Sequence, residues 1–333
     1  MTGRFLKLIA GIMVLSLIAG CSKSANNSKG NAEIQINTVG GLNTAAVDAT
    51  SLIKTAPSVS TEILKNPGKG WFIYGDGENN LTPFSSQPLA WQYASVGYCR
   101  YDWAALEPEE GKYDWSYIDS AIEFCKNNGA RFAFGVMSIN PTGKKEYVTP
   151  KWVYDAGAKS YKSGVSNSLS DSPEKSVQYV PDFSDPIYIE KLQNFANALA
   201  TRYGGNKDIE FIDIRCYGSW GENNMFDIDA YYKDRPDTGV DGEVMWRCWE
   251  TYINAFKNTD TQLMVAYSLS DNACKEYYEK AIEAGVGVRY DGLCHWTSSG
   301  TGTSNIWADG KTPAALEFAA SYGYIKNKGS WDA

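Results

Sequence analysis

The chain has 333 residues, 43% of them hydrophobic and 21% charged, which supplies a core and excludes the fibrous and wholly disordered classes. Asp and Glu (39) outnumber Lys and Arg (31), giving a net charge of -8 with no basic cluster, so no nucleic acid partner is expected. Aromatic residues are 14% of the chain, with 11 Trp and 22 Tyr, a composition suited to surfaces that hold amphipathic ligands such as sugars.

Residues 1–21 read as a signal peptide: a basic start (Arg4, Lys7), an apolar run from Leu8 to Ala19 too short for a comfortable span, and a small-residue ending. The final Ile18-Ala19-Gly20-Cys21 resembles a bacterial lipobox, which implies lipidation of Cys21 and an exported protein anchored on the outer face of the cell membrane. An ordinary cleaved signal with an incidental Cys21 is the alternative. Residues 22–60, rich in Ser, Asn, Thr, Gly and Ala, cannot bury enough surface to offset chain entropy and read as a flexible tether. Residues 61–333 are then the folded domain. Cys99, Cys125, Cys216, Cys248, Cys274 and Cys294 lack the close spacing of a disulfide framework and read as buried thiols. One His and no HExxH or CxxC motif leave neither metal nor cofactor expected.

From Asn66 onward short apolar runs alternate with helical periodicity, the signature of βα units around a parallel sheet. Strands are predicted at Trp71 to Tyr74, Ser95 to Trp103, Arg131 to Ile139, Ile209 to Tyr217, Gln262 to Leu269, Val288 to His295 and Ala314 to Ala319. Asp114 predicts a helix start, with Ile118, Ala121, Ile122 and Cys125 on one face and Gly129 as the stop. Asp185-Pro186 opens a second helix with Leu192, Phe195, Leu199 and Tyr203 on one stripe, ending at Gly204-Gly205. Two more are predicted from Glu243 to Phe256 and from Asn272 to Ala284. The fold class expected is α/β, a (β/α)8 TIM barrel apparently truncated after the seventh strand, with a C-terminal part absent from this sequence; an incomplete barrel or a different N-terminal strand count are the alternatives.

Barrel active sites lie at the C-terminal ends of the strands. Glu222 emerges there after the fourth strand, beyond Gly218-Ser219-Trp220-Gly221, and Glu317 stands in the apolar run of the seventh, Ala314-Ala315-Leu316-Glu317-Phe318. A lone charge in such a run needs a partner.

The segment Arg100-Tyr101-Asp102-Trp103-Ala104-Ala105-Leu106-Glu107-Pro108-Glu109-Glu110-Gly111-Lys112-Tyr113-Asp114-Trp115 resembles the second-strand region of clan A β-glycosidase barrels, above all a β-galactosidase-like bacterial branch. Asn66-Pro67-Gly68-Lys69-Gly70-Trp71, Thr149-Pro150-Lys151-Trp152-Val153 and Gly218-Ser219-Trp220-Gly221-Glu222 are similar to the same branch, so the likeness runs from about Asn66 to Ala333. It implies that Glu222 is the acid/base, Glu317 the nucleophile and Arg100 the strand-two arginine that contacts the nucleophile. The clan usually has Asn immediately before the acid/base, where it binds the sugar 2-hydroxyl, and this chain has Gly221.

Retaining hydrolysis needs one ionised carboxyl to attack the anomeric carbon and one protonated carboxyl to assist the leaving group, roughly 5 to 5.5 Å apart. Arg100 is expected to favour the charged form of Glu317, and apolar neighbours such as Trp220 to keep Glu222 protonated. Arg100, Trp103, Asn140, Tyr217, Trp220, His295 and Trp296 are the expected substrate contacts. The aromatic residues among them are equally readable as wall packing, His295 as a merely hydrogen-bonded residue, and Glu317 as a structural ion-pair partner of Arg100 or Arg215. Asp213 and Arg215 alternate inward as a charged barrel layer, and Glu107, Glu109 and Glu110 read as solvated turn charges. The function expected is a retaining β-glycosidase acting on an oligo- or polysaccharide at the cell surface. A non-catalytic glycan-binding lipoprotein is the alternative, and a transporter's solute-binding lipoprotein fits the Glu107–Trp115 segment poorly.

Overall fold

The computed structural model describes residues 70–75, 79–86, 88–166, 175–225, 227–232, 240–267, 274–293 and 311–318, all within the unit Thr61–Ala333. In chain order the strands are β1 (Trp71–Tyr74), β2 (Ala94–Asp102), β3 (Arg131–Met137), β4 (Ser160–Ser166), β5 (Lys175–Pro181), β6 (Ile209–Ile214), β7 (Leu263–Tyr267), β8 (Gly287–Leu293) and β9 (Ala314–Phe318). Seven form one sheet in the order β1-β2-β3-β6-β7-β8-β9, every neighbouring pair parallel. This is the βα pattern of a (β/α)8 barrel followed through seven strands. The sheet curls: the Arg100 side chain on β2 reaches Glu317 on β9, the last strand in the order.

All seven predicted strands are present. Those expected to reach Ile139 and Tyr217 stop at Met137 and Ile214, and the chain stays buried through Ile139 and Tyr217 beyond the end of the ladder. The antiparallel hairpin β4–β5 was not expected, since its residues alternate Ser, Lys and Gly with few large apolar side chains. The short helices α1 (Trp103–Leu106), α3 (Lys151–Asp155) and α5 (Asp229–Tyr232) likewise carry no periodic signal.

The long helices α2 (Ser116–Asn127), α4 (Pro186–Tyr203), α6 (Gly242–Phe256) and α7 (Lys275–Glu283) lie where periodicity puts them. Asp185 caps α4 by accepting from the Ile187 and Tyr188 N–H groups, and Asp241 caps α6 through Glu243 and Val244, satisfying donors the helix itself cannot. The α4 stripe Leu192, Phe195, Leu199 and Tyr203 is buried in the core between helices and sheet. Each such side chain contributes about 1.5–3 kcal/mol by leaving water.

The other face of the sheet is the barrel interior, and the two-residue period of a strand decides what enters it. Val96, Tyr98, Ala133, Phe211 and Met264 form an apolar cluster there. The next residues on the same face, Arg100 on β2 and Asp213 on β6, begin a charged layer above it. The helix-facing side of β2 is closely packed at Gly97, where a Cβ would lie 2.6 Å from Cys125 Sγ and 2.7 Å from Phe84 Cζ.

Candidate active site

Six side chains of alternating charge form a closed ring in the upper barrel. Arg100 Nη1 donates to Glu222 Oε1 (2.8 Å), and Arg100 Nη2 to Glu317 Oε2 (2.9 Å) and Oε1 (3.1 Å). Glu222 Oε1 also lies 3.3 Å from Arg215 Nη1, and Glu317 accepts from Arg289 Nη1. Asp213 closes the ring, its Oδ2 lying 2.6 Å from Arg215 Nε and 2.9 Å from Arg289 Nε. Asp213, Arg215 and Arg289 are fully buried, while Glu222 and Glu317 keep side-chain exposures of 21% and 20%. The two glutamates are thus the ring members that face the mouth. A guanidinium fork with one hydrogen bond on each side spans no more than about 8 Å between acceptor oxygens, below the roughly 9.5 Å upper limit of glycosidase carboxyl pairs.

Tyr98 lies beneath the ring. Its hydroxyl donates to Asp213 Oδ2 (2.6 Å), and its ring faces the Arg289 guanidinium at 5.2 Å. Burial pushes the phenol far above its ordinary value, so it stays a donor. Tyr74 offers its face to Arg100 at 5.2 Å. Gly135 on β3 makes room for Arg215, whose Cδ would be 2.6 Å from a Cβ there.

Glu222 is delivered by a tightly wound turn. After β6 the chain passes through Gly218 (φ 82°), Trp220 (φ 49°), Gly221 (φ 67°) and Asn223 (φ 58°), left-handed conformations that cost energy at the two residues bearing side chains. Bonds from Ser219 N to Asn224 O (2.8 Å) and Glu222 N to Ser219 O (2.8 Å) hold the turn. Arg215 Nη1 to Trp220 O (2.7 Å) ties it to the ring. Asn223 pins it to the scaffold by donating to Ala266 O (2.6 Å) and accepting from Trp249 Nε1 (3.1 Å).

Other expected site residues have less access. Trp103 is 1% exposed, packed on Trp152, Tyr188 and Phe195, and Tyr217 is 2% exposed with its hydroxyl on the Asp241 backbone. Asn140 is fully buried, its amide donating to Asp102 Oδ1 (2.9 Å) and accepting from Thr142 and Gly143 N–H groups. Trp220 packs on Met137 and Val148 and donates to Thr142 Oγ1 (2.7 Å). His295, Trp296 and Cys21 lie outside the described residues, as does Cys294.

Two expectations are corrected. Glu222 does not sit among apolar groups, for it lies between the guanidinium groups of Arg100 and Arg215. Glu107 is not a solvated turn charge: it is 2% exposed, accepting from Trp103 Nε1 (2.8 Å) and Gly111 N (2.9 Å), and burial raises its pKa. Glu109 and Glu110 do pair at the surface, with Lys112 and Lys191. Sequence reasoning passed over Arg289 and Tyr98. The signal for Arg289 was available, a cation within the apolar run Val286 to Tyr290. Asp102 was passed over too, a fully buried carboxylate at the end of β2 held by Asn79 (2.8 Å), Asn140 and Lys145 (2.9 Å). Among the described residues no group of His, Cys, Asp and Glu is arranged to hold a metal ion.

Residues 89–216 match the glycoside hydrolase 42 family model, described as beta-galactosidase. The match takes in β2, β3 and β6, and with them Arg100, Asp213 and Arg215. A beta-galactosidase of Thermus thermophilus is 28% identical over 108 residues, 32% of this chain and 15% of that protein. Beta-galactosidase BgaA of a Thermus species is 28% identical over 116 residues, 34% of this chain and 16% of that protein. The aligned stretch therefore spans about a sixth of these relatives. Among solved structures, the catalytic domain of beta-amylase from Paenibacillus polymyxa superposes with a TM-score of 0.50 at 11% identity, covering 78% of this chain and 89% of that one, a likeness of fold.

Proposed function

We propose that this chain carries the catalytic barrel of a retaining β-glycosidase, with Glu317 as nucleophile and Glu222 as acid/base, acting on an oligo- or polysaccharide. The observation that carries the reading is the sharing of one guanidinium, Arg100, by two mouth-facing glutamates on opposite parts of the curled sheet. The beta-galactosidase match supports the same substrate class. In this mechanism Glu317 attacks the anomeric carbon as an ion, held charged by Arg100 and Arg289. Glu222 gives a proton to the departing oxygen and then, as a carboxylate, takes one from the water that hydrolyses the glycosyl-enzyme. A sugar seated between the two must displace Arg100 from Glu222, and loss of that contact removes one of the two cations opposing protonation. Lipid on Cys21, in the same proposal, holds the domain on the outer face of the membrane, with residues 22–60 as tether.

One observation favours a second reading, a glycan-binding barrel without turnover. Glu222 lies against two guanidinium groups, which stabilise its ionised form and oppose the acid role.

Hydrolysis of a panel of aryl β-glycosides, β-galactosides included, by the full-length protein decides between them. Turnover that falls at least a thousandfold in Glu222→Gln and Glu317→Gln supports the glycosidase. Absence of turnover on every sugar, with retained binding to polysaccharide, supports the alternative.

A further inference from the structure

The ring gives Asp213 a place that neither general acid nor nucleophile explains. Its carboxylate is fully buried at the bottom of the charged layer, away from the mouth. Its Oδ2 accepts a hydrogen bond from Arg215 Nε (2.6 Å) and lies 2.9 Å from Arg289 Nε as an ion-pair contact. A guanidinium is planar and rigid, so the hydrogen bond at Arg215 Nε fixes where its two outer nitrogens point, while the ion pair draws the Arg289 guanidinium to the same carboxylate. Each arginine then turns an Nη1 to a different glutamate, Arg215 to Glu222 and Arg289 to Glu317. Two buried guanidinium groups require compensation, and Asp213 supplies it for both. The spacing that does this is local, since Asp213 and Arg215 are two residues apart and point to the same face of the sheet.

We propose that Asp213 is the positioning residue that sets both glutamates at once, through Arg215 to Glu222 and through Arg289 to Glu317. It touches no substrate. With Asp213 ionised, the ring holds three cations and three anions. Without its charge the arginines are in excess by one, and the surplus acts on the two glutamates from below. Among the described residues, Arg100 and Arg215 face Glu222, Arg100 and Arg289 face Glu317, and Arg215, Arg289 and Tyr98 face Asp213. An excess cation favours both carboxylates, so both glutamates release their protons at lower pH. For a reaction that needs Glu222 protonated, the alkaline limb of the rate profile moves to more acid pH.

The kinetic arm rests on the glycosidase reading, so the test has two arms. In the first, Asp213→Asn is compared with wild type on an aryl glycoside across pH. The proposal predicts kcat lower by tenfold or more, KM nearly unchanged, and the alkaline limb shifted down by about one unit. A merely structural role would scale activity at all pH values with the limb in place, and that result overturns it. In the second arm, the side-chain carboxyl carbons of Glu222 and Glu317 are titrated by 13C NMR, assigned with the two Glu→Gln variants. Both midpoints are expected to move to lower pH in Asp213→Asn, and unmoved midpoints overturn the proposal whether or not the protein turns over any sugar. Shifted midpoints in a protein without turnover uphold the positioning role and sink the glycosidase reading; turnover with unshifted midpoints does the reverse. Should Asp213→Asn not fold, Arg289→Lys breaks one arm alone, and the Glu317 midpoint is then expected to rise while that of Glu222 stays, equal movement of both counting against the proposal.

Discussion

Gly221 lies directly on the backbone of Arg215: a Cβ at Gly221 would fall 2.2 Å from the Arg215 carbonyl oxygen and 2.3 Å from its Cα. The residue before Glu222 is therefore glycine because the turn folds back on the strand it has just left. The asparagine that the clan resemblance leads one to expect there has no room in this arrangement. Asn tolerates the left-handed φ of 67° better than Ala, but it carries the same Cβ. Both Gly221→Ala and Gly221→Asn are expected to lose about 2–5 kcal/mol from strain and overlap, with any turnover falling as Glu222 is displaced. Urea unfolding measures this, and a wild-type midpoint in Gly221→Asn would refute it.

Glu107 makes stability depend on pH in a direction opposite to most paired carboxylates. Burial raises its pKa above the ordinary 4.5, despite the donors Trp103 Nε1 and Gly111 N. A raised folded-state value means that its contribution is complete below about pH 4.5 and is lost as pH rises through the raised value. Glu107→Gln removes this loss, so the stability of the variant relative to wild type is expected to climb from pH 4.5 upward and then level. Urea unfolding at a series of pH values reads the difference, and a difference that stays flat or declines with pH contradicts it.

The cysteines of the described core are free and buried. Burial pushes the Cys125 thiol up to about 12, and the thiolate is the reactive form. Native protein at pH 8 is expected to leave the Cys125 peptide unlabelled by iodoacetamide over hours, and urea-unfolded protein to label it fully. Mass spectrometry of the peptide is the check, with labelling of native protein within minutes as the failing result.

The parts of the fold legible in sequence were those with a strong apolar signal. Strands such as Ile209-Glu210-Phe211-Ile212 declare themselves as short apolar runs, because a parallel strand is buried on both faces, and the α4 stripe because burial on one face repeats every 3.6 residues. The β4–β5 hairpin did not, because Ser160-Tyr161-Lys162-Ser163-Gly164 pairs by backbone bonds with little apolar patterning. At the site, Glu222, Glu317 and Arg100 could be found from the strand-end rule and from motif. What chain order hides is the ring itself, since Arg289 joins Asp213 and Glu317 only once the sheet has curled. Glu107 misleads for the converse reason: Glu-Pro-Glu-Glu-Gly reads as a solvated turn, yet the first glutamate folds inward onto Trp103. Gly221 reads as a departure from pattern and is explained only by the carbonyl it rests on.

Attack of Glu317 on the sugar is open to test by azide rescue. Glu317→Ala is assayed on an aryl β-glycoside turned over by wild type, with and without azide, and the product's configuration is read by NMR. Activity is expected to be lost in the variant and restored by azide, with an α-glycosyl azide as product because the small anion attacks once from the face that Glu317 vacates. Wild-type rates in Glu317→Ala without azide, or a β-glycosyl azide as the rescued product, would contradict it.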